Sequence, residues 1–97
     1  MTPTFSVHTD PHFERLAAPL RKHHRDFHQV FLYAVEILEM DPFNMTRKHA
    51  IKKLTDVRAG QGQYRLRLGR WRFRYDIYGQ EVVLTYCGLR REDTYSG

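Results

Sequence analysis

The sequence predicts an α+β fold: an antiparallel four-stranded sheet with two N-terminal helices on one face, in the order βααβββ. Two patterns carry this. Residues 64–87 alternate apolar and basic side chains with a period of two, the mark of β-strands. Ahead of them, two stretches space apolar residues at i, i+3, i+4 and i+7, the mark of amphipathic helices. The chain has 97 residues, 41% of them hydrophobic and 13% aromatic, enough for one small core. A single domain over 1–97 is therefore expected.

Residues 4–8 alternate Phe5 and Val7 with polar neighbours and read as a short strand. Asp10 then has the chemistry of an N-cap, with Pro11 at the first helical position. Phe13, Leu16, Ala17 and Leu20 form the buried stripe of a helix near 10–23. Pro19 inside it is expected to kink or shorten the last turn. Arg25 and Asp26 open a second helix near 25–41, with Phe27, Val30, Phe31, Ala34, Ile37 and Leu38 as its apolar stripe. Asp41-Pro42 closes it, since a residue before proline avoids the helical region. Residues 44–63 are the least regular part. Ala50, Ile51 and Leu54 are expected to anchor to the core, and residues 59–62 to form a loop.

The last three strands form a meander. Gly69-Arg70 and Gly79-Gln80 read as two-residue turns with glycine at the first central position. The first turn pairs Leu68 with Trp71, Leu66 with Phe73 and Tyr64 with Tyr75. It also pairs Arg67 with Arg72 and Arg65 with Arg74 on the other face. The second turn pairs Tyr78 with Glu81, Ile77 with Val82, Tyr75 with Leu84 and Phe73 with Tyr86. One face is then wholly apolar and directed at the helices. The other carries four arginines, joined by Thr85 and Cys87.

The formal charge of +5 is unevenly spread. Residues 47–74 hold ten basic side chains and one acidic one, Asp56, whereas residues 1–46 hold four basic and six acidic. A local excess fits a nucleic-acid footprint, although a solvated basic face gives the same count. Like charges opposed across a sheet are destabilising. Their retention in two adjacent pairs points to a polyanionic ligand more than to protection of a sheet edge. No signal-peptide core precedes the first strand, and the longest apolar run, residues 30–35, is too short to span a bilayer. Cys87 is the single cysteine. These features suggest a cytoplasmic protein without membrane contact.

Four segments together resemble the RelE/ParE toxin superfamily of prokaryotic toxin–antitoxin systems. They are Lys53-Leu54, residues 64–68 (Tyr-Arg-Leu-Arg-Leu), residues 71–76 (Trp-Arg-Phe-Arg-Tyr-Asp) and residues 88–95 (Gly-Leu-Arg-Arg-Glu-Asp-Thr-Tyr). The resemblance covers nearly the whole chain, and its basic strands and closing Gly-x-Arg…Tyr are more similar to the RelE branch. It implies a type II toxin acting as a ribosome-dependent messenger-RNA endoribonuclease. In such enzymes the messenger's 2′-hydroxyl attacks the adjacent phosphate. The implied partners are a cognate antitoxin, the ribosome and mRNA; no cofactor and no metal are implied.

Carried over by that resemblance, Arg72 stabilises the phosphate, Arg90 assists the leaving group and Tyr95 stacks on a base. Arg67 completes the catalytic set, and Arg65, Arg74, Lys52 and Lys53 are the RNA-binding residues. Arg65 and Arg67 stand where the best-known members carry lysines. An arginine stays protonated and is a poor general base, so Arg67 either supplies charge alone or leaves the proton to another group. Glu92, Asp93 and His49 are candidates. Two further readings stay open: a ParE-like inhibitor of DNA gyrase, and a catalytically inactive RNA-binding homologue.

His24 and His28 have a helical metal-ligand spacing, but no cysteine or acidic partner completes a site. Cys87 is read as a small strand residue and Trp71 as core.

Overall fold

The structure, a computed structural model, describes residues 3–90. Strand β1 (Ser6–Thr9) leads into helices α1 (Pro11–His23) and α2 (Phe27–Met40). Strands β2 (Ile51–Lys53), β3 (Tyr64–Leu68), β4 (Trp71–Tyr78) and β5 (Glu81–Leu89) follow. They form one sheet in the order β1-β5-β4-β3-β2.

Two expectations are corrected here. The sheet has five strands among the described residues, and it is mixed rather than antiparallel. β2 is the strand the sequence did not show. Its three residues are too few for alternation to register, and it pairs Ile51 with Leu66 only because the loop returns it to the edge of β3. β1 runs parallel to β5, with Val7 opposite Val82 and Thr9 opposite Leu84. No tight turn joins these strands: two helices and three strands lie between them, and so long a connection leaves strand direction open in a way that a hairpin does not.

Both helices begin and end close to their expected bounds. The Asp10 carboxylate accepts from the Phe13 N–H at 2.8 Å, capping α1. Pro19 does not end that helix, which runs on to His23. Asp26 precedes α2 but makes no side-chain cap. Its carboxylate instead accepts from the Trp71 indole N–H at 2.9 Å, tying the start of α2 to the start of β4. Asp41 stops α2 and organises the turn after it, accepting from Met45 N–H at 2.7 Å and from the Thr46 hydroxyl at 2.6 Å.

The core lies between the helices and one sheet face. Phe13, Ala17, Phe27, Ala34 and Leu38 meet Leu66, Trp71, Phe73, Tyr75 and Leu84 there, all essentially without solvent contact. Tyr75 donates its hydroxyl to the Pro42 carbonyl at 2.6 Å, so its polar end is satisfied inside the core. Ile51 packs against this cluster, but Ala50 is exposed and Leu54 lies outside it, on the arginine face, contrary to expectation.

The first hairpin has the expected register throughout. The second has it only from Tyr78–Glu81 to Tyr75–Leu84. There a β-bulge between Arg74 and Tyr75 adds Thr85 to β5 as an extra residue. Beyond it Tyr86 faces Arg74, Cys87 faces Phe73 and Gly88 faces Arg72. A one-residue slip inverts every side chain that follows. Tyr86 is thereby moved from the expected core to the arginine face, and Cys87 from the arginine face into the core.

Candidate functional site

Strands β3 and β4 place Arg65 opposite Arg74 and Arg67 opposite Arg72. All four are half-buried on the sheet face away from the helices. A like-charge cross-strand pair costs of the order of 0.2–1 kcal/mol. Burying one large apolar side chain on the opposite face contributes about 1.5–3 kcal/mol. The core packing of these strands therefore outweighs the repulsion and holds guanidinium groups side by side before any ligand arrives.

Arg65, Arg72 and Arg74 line a concavity of about 290 Å³ with Leu54 and Tyr86. Arg67 shares the face but is not part of that lining. The Tyr86 ring runs along β5 from the level of Arg74 to that of Arg72. Its hydroxyl lies 2.7 Å from where a Cβ on Gly88 would stand. An aromatic ring and three guanidinium groups thus share one hollow, a combination suited to a phosphate next to a nucleobase.

Asp76 follows Arg74 on the same face, yet it is 2% exposed. The loop before β3 covers it: the Asp76 carboxylate accepts from Gly62 N–H at 2.9 Å and from Gln63 N–H at 3.1 Å. The Arg74 Nε donates to the Gly62 carbonyl at 3.1 Å. Gly62 has φ +83°, and a Cβ there would lie 2.8 Å from the Arg74 Cβ and 3.0 Å from the Thr85 Cγ2. Only glycine fits this approach. Arg74 is therefore held by the loop.

A second cleft of about 300 Å³ adjoins the first, sharing Arg74 and Tyr86 with it. Its other walls include Asp10 and His12 at the start of α1 and Gln61 of the loop. The His12 Nδ1 lies 2.8 Å from the Thr85 carbonyl, at the bulge. Neither Tyr86 nor His12 was singled out from the sequence. Tyr86 alternates in phase with core residues until the bulge intervenes, and His12 is one of six histidines with no distinguishing spacing.

The remaining candidates separate. Lys52 pairs with Arg65 and so shares the arginine face. Lys53 pairs with Tyr64 and sets its ammonium 5.7 Å from that ring, on the helix side of the sheet edge. Arg90 follows β5 directly, its N–H donating to the Arg70 carbonyl at 2.6 Å, at the Arg67–Arg72 end of the sheet. Tyr95, Glu92 and Asp93 lie outside the described residues. His49 is bound into the turn after α2: its N–H donates to Asn44 at 3.1 Å, and its Nε2 is 3.9 Å from Asp41. Cys87 is 2% exposed, and burial pushes its thiol up to about 12. His24 stands edge-on to Trp71 with ring centroids 5.4 Å apart. Among the described residues no group of three or more His, Cys, Asp or Glu side chains could hold a metal. No helix among them is long and apolar enough to cross a membrane.

No protein-family model and no curated relative matches the sequence. Among solved structures, a chain of the toxin–antitoxin complex RelBE2 from Mycobacterium tuberculosis is similar in fold, with a TM-score of 0.67. The two are 25% identical, over 93% of this chain and 94% of that one. The chain is RelE-like. The sequence resemblance and the arrangement of helices on sheet thus agree. The five-stranded mixed sheet is the form in which this RelE-like protein presents its arginines.

Proposed function

We propose that this RelE-like protein is the toxin of a type II toxin–antitoxin system and cleaves messenger RNA on the ribosome. The observation that carries this reading is the hollow formed by Arg65, Arg72, Arg74, Leu54 and Tyr86 on a RelE-like scaffold. The similarity to a chain of a toxin–antitoxin complex supports an antitoxin as the partner.

The chemistry is attack of a ribose 2′-oxygen on the neighbouring phosphorus with loss of the 5′-oxygen. Negative charge grows on the phosphoryl oxygens during this attack. Fixed guanidinium groups then stabilise the transition state more than the bound messenger. Arg72 supplies that charge at the centre of the hollow. Arg90, one residue beyond β5, assists the departing oxygen, and Arg65, Arg67 and Arg74 hold the flanking phosphates. Lys52 extends this track along β2. Lys53, on the other side of the edge, contributes less. Tyr95 remains the stacking residue implied by the family resemblance, and Tyr86 is a second ring for that task.

The test is expression of the protein without and with its antitoxin, followed by cleavage of messenger on programmed ribosomes. Growth arrest with messenger cut in the ribosomal A site is expected. Arg72→Ala should lower the cleavage rate by about 10²–10³, the usual loss for one preorganised donor. Intact messenger together with gyrase-dependent DNA breaks would replace this reading by the ParE-like one. Messenger binding without cleavage would replace it by an inactive RNA-binding homologue.

A further inference from the structure

The proposed reaction needs a group that removes the proton of the 2′-hydroxyl, and the arginine hollow does not contain one. Arginine stays protonated, and none of Arg65, Arg72 and Arg74 can take that role. We infer that His12 is the general base, acting through Nε2 from the cleft that continues the arginine hollow across Arg74 and Tyr86. The inference rests on the endoribonuclease reading.

Three observations converge on His12. First, it lines a cleft whose shared walls, Arg74 and Tyr86, are also walls of the hollow. A nucleotide lying across Arg74 therefore meets both. Second, its tautomer is set. A carbonyl oxygen only accepts, so the 2.8 Å contact with the Thr85 carbonyl requires His12 Nδ1 to carry the hydrogen. The neutral ring then presents a lone pair on Nε2, the form a general base needs. Third, the other ionisable groups around it are less suited. The Asp10 carboxylate is engaged in capping α1 through Phe13 N–H. Tyr86 lies in the wall shared with the hollow, where its ring is placed to stack on a base.

The bulge builds this arrangement. Without the extra residue, β5 would carry Tyr86 into the core and leave the cleft without its ring. With it, Thr85 and Tyr86 follow one another beside Arg74, the first orienting the imidazole and the second forming a wall of the cleft.

The 2′-hydroxyl proton passes to His12 Nε2 as the 2′-oxygen bonds to phosphorus. The bond between phosphorus and the 5′-oxygen breaks, and its electron pair leaves with that oxygen, which takes a proton from water. The products are a 2′,3′-cyclic phosphate and a free 5′-hydroxyl. The imidazolium returns its proton to water.

The decisive variant is His12→Asn. The asparagine amide can still donate to the Thr85 carbonyl, in the place of Nδ1, but it offers no base in the place of Nε2. Single-turnover cleavage is measured on programmed ribosomes at saturating protein, from pH 5 to 8. The wild-type rate is expected to fall toward acid pH as imidazole protonates. The charged or titratable groups sharing the cleft are Asp10 of the α1 cap, Arg74 of β4 and Tyr86 of β5. His12→Asn should lose about 10²–10⁴ in rate and the acid limb with it, while its thermal midpoint stays near that of the wild type. A rate within a few-fold of wild type overturns the inference, as does a slower variant that keeps the same acid limb. A wild-type protein that leaves ribosome-bound messenger intact overturns the endoribonuclease reading and this inference together.

Discussion

The Tyr86 hydroxyl occupies the space that a side chain on Gly88 would need, 2.7 Å from the position of its Cβ. Gly88 faces Arg72 across the sheet, so the absence of a side chain there leaves room for the Tyr86 ring at the level of Arg72. The ring, the glycine and the bulge that turns Tyr86 outward form one unit. Gly88→Ala should displace the ring while leaving the helix-side core intact. On the proposed endoribonuclease reading, cleavage should then fall by about 10², the scale of an ångström-sized misplacement of a catalytic group. Comparing single-turnover rates of the two proteins, with their thermal midpoints as a control, checks this.

Arg67 stands directly opposite Arg72 at the end of the first hairpin. Arg67→Thr removes the like charge and substitutes a good strand former. Stability should rise by up to about 1 kcal/mol, and the gain should shrink as salt screens the pair. Urea titrations at low and high ionic strength measure both effects. A loss of stability at low salt would show that Arg67 is held by attraction that outweighs its repulsion from Arg72.

Asp76 fastens the loop over the arginine face through two backbone N–H groups. Asp76→Asn keeps the shape but replaces one acceptor oxygen by a donor, leaving Gly62 or Gln63 N–H without its partner. The expected cost is about 1–3 kcal/mol, with faster amide exchange confined to residues 59–63. On the proposed RNA-binding role of Arg74, its release from the Gly62 carbonyl should weaken messenger binding as well.

Asp41 couples stability to pH. Burial alone would raise its carboxyl, but hydrogen bonds from Thr46 and from the Met45 and Thr46 N–H groups outweigh burial. The net shift is downward from 3.8. A carboxyl depressed by folding stabilises the protein above its unfolded value, and that stabilisation is lost as pH falls through the folded one. Stability should therefore decline below about pH 4. Asp41→Asn should be less stable at neutral pH and show a shallower acid decline, as followed by thermal midpoints between pH 2 and 7.

Much of this protein is legible in its sequence because neighbouring residues decide it. The period-two alternation of residues 64–78, with glycine turns at 69 and 79, determined the first hairpin and the face that carries Arg65, Arg67, Arg72 and Arg74. Asp10-Pro11 and Asp41-Pro42 bounded the two helices through local capping and proline geometry. Tertiary contacts decided the rest. β2 exists because β3 offers it an edge, and β1 is parallel to β5 because two helices and three strands lie between them in the chain, so packing and not a local turn sets its direction. The added residue at Thr85 has no signature in the strand pattern, since Val82 to Cys87 reads equally well without a bulge. That single residue moves Tyr86 to the arginine face, buries Cys87 and presents the carbonyl that His12 engages. His12 and Arg74 are 62 positions apart in the chain. Only the packing of α1 against β5, and of the 59–63 loop against β4, brings them to one cleft.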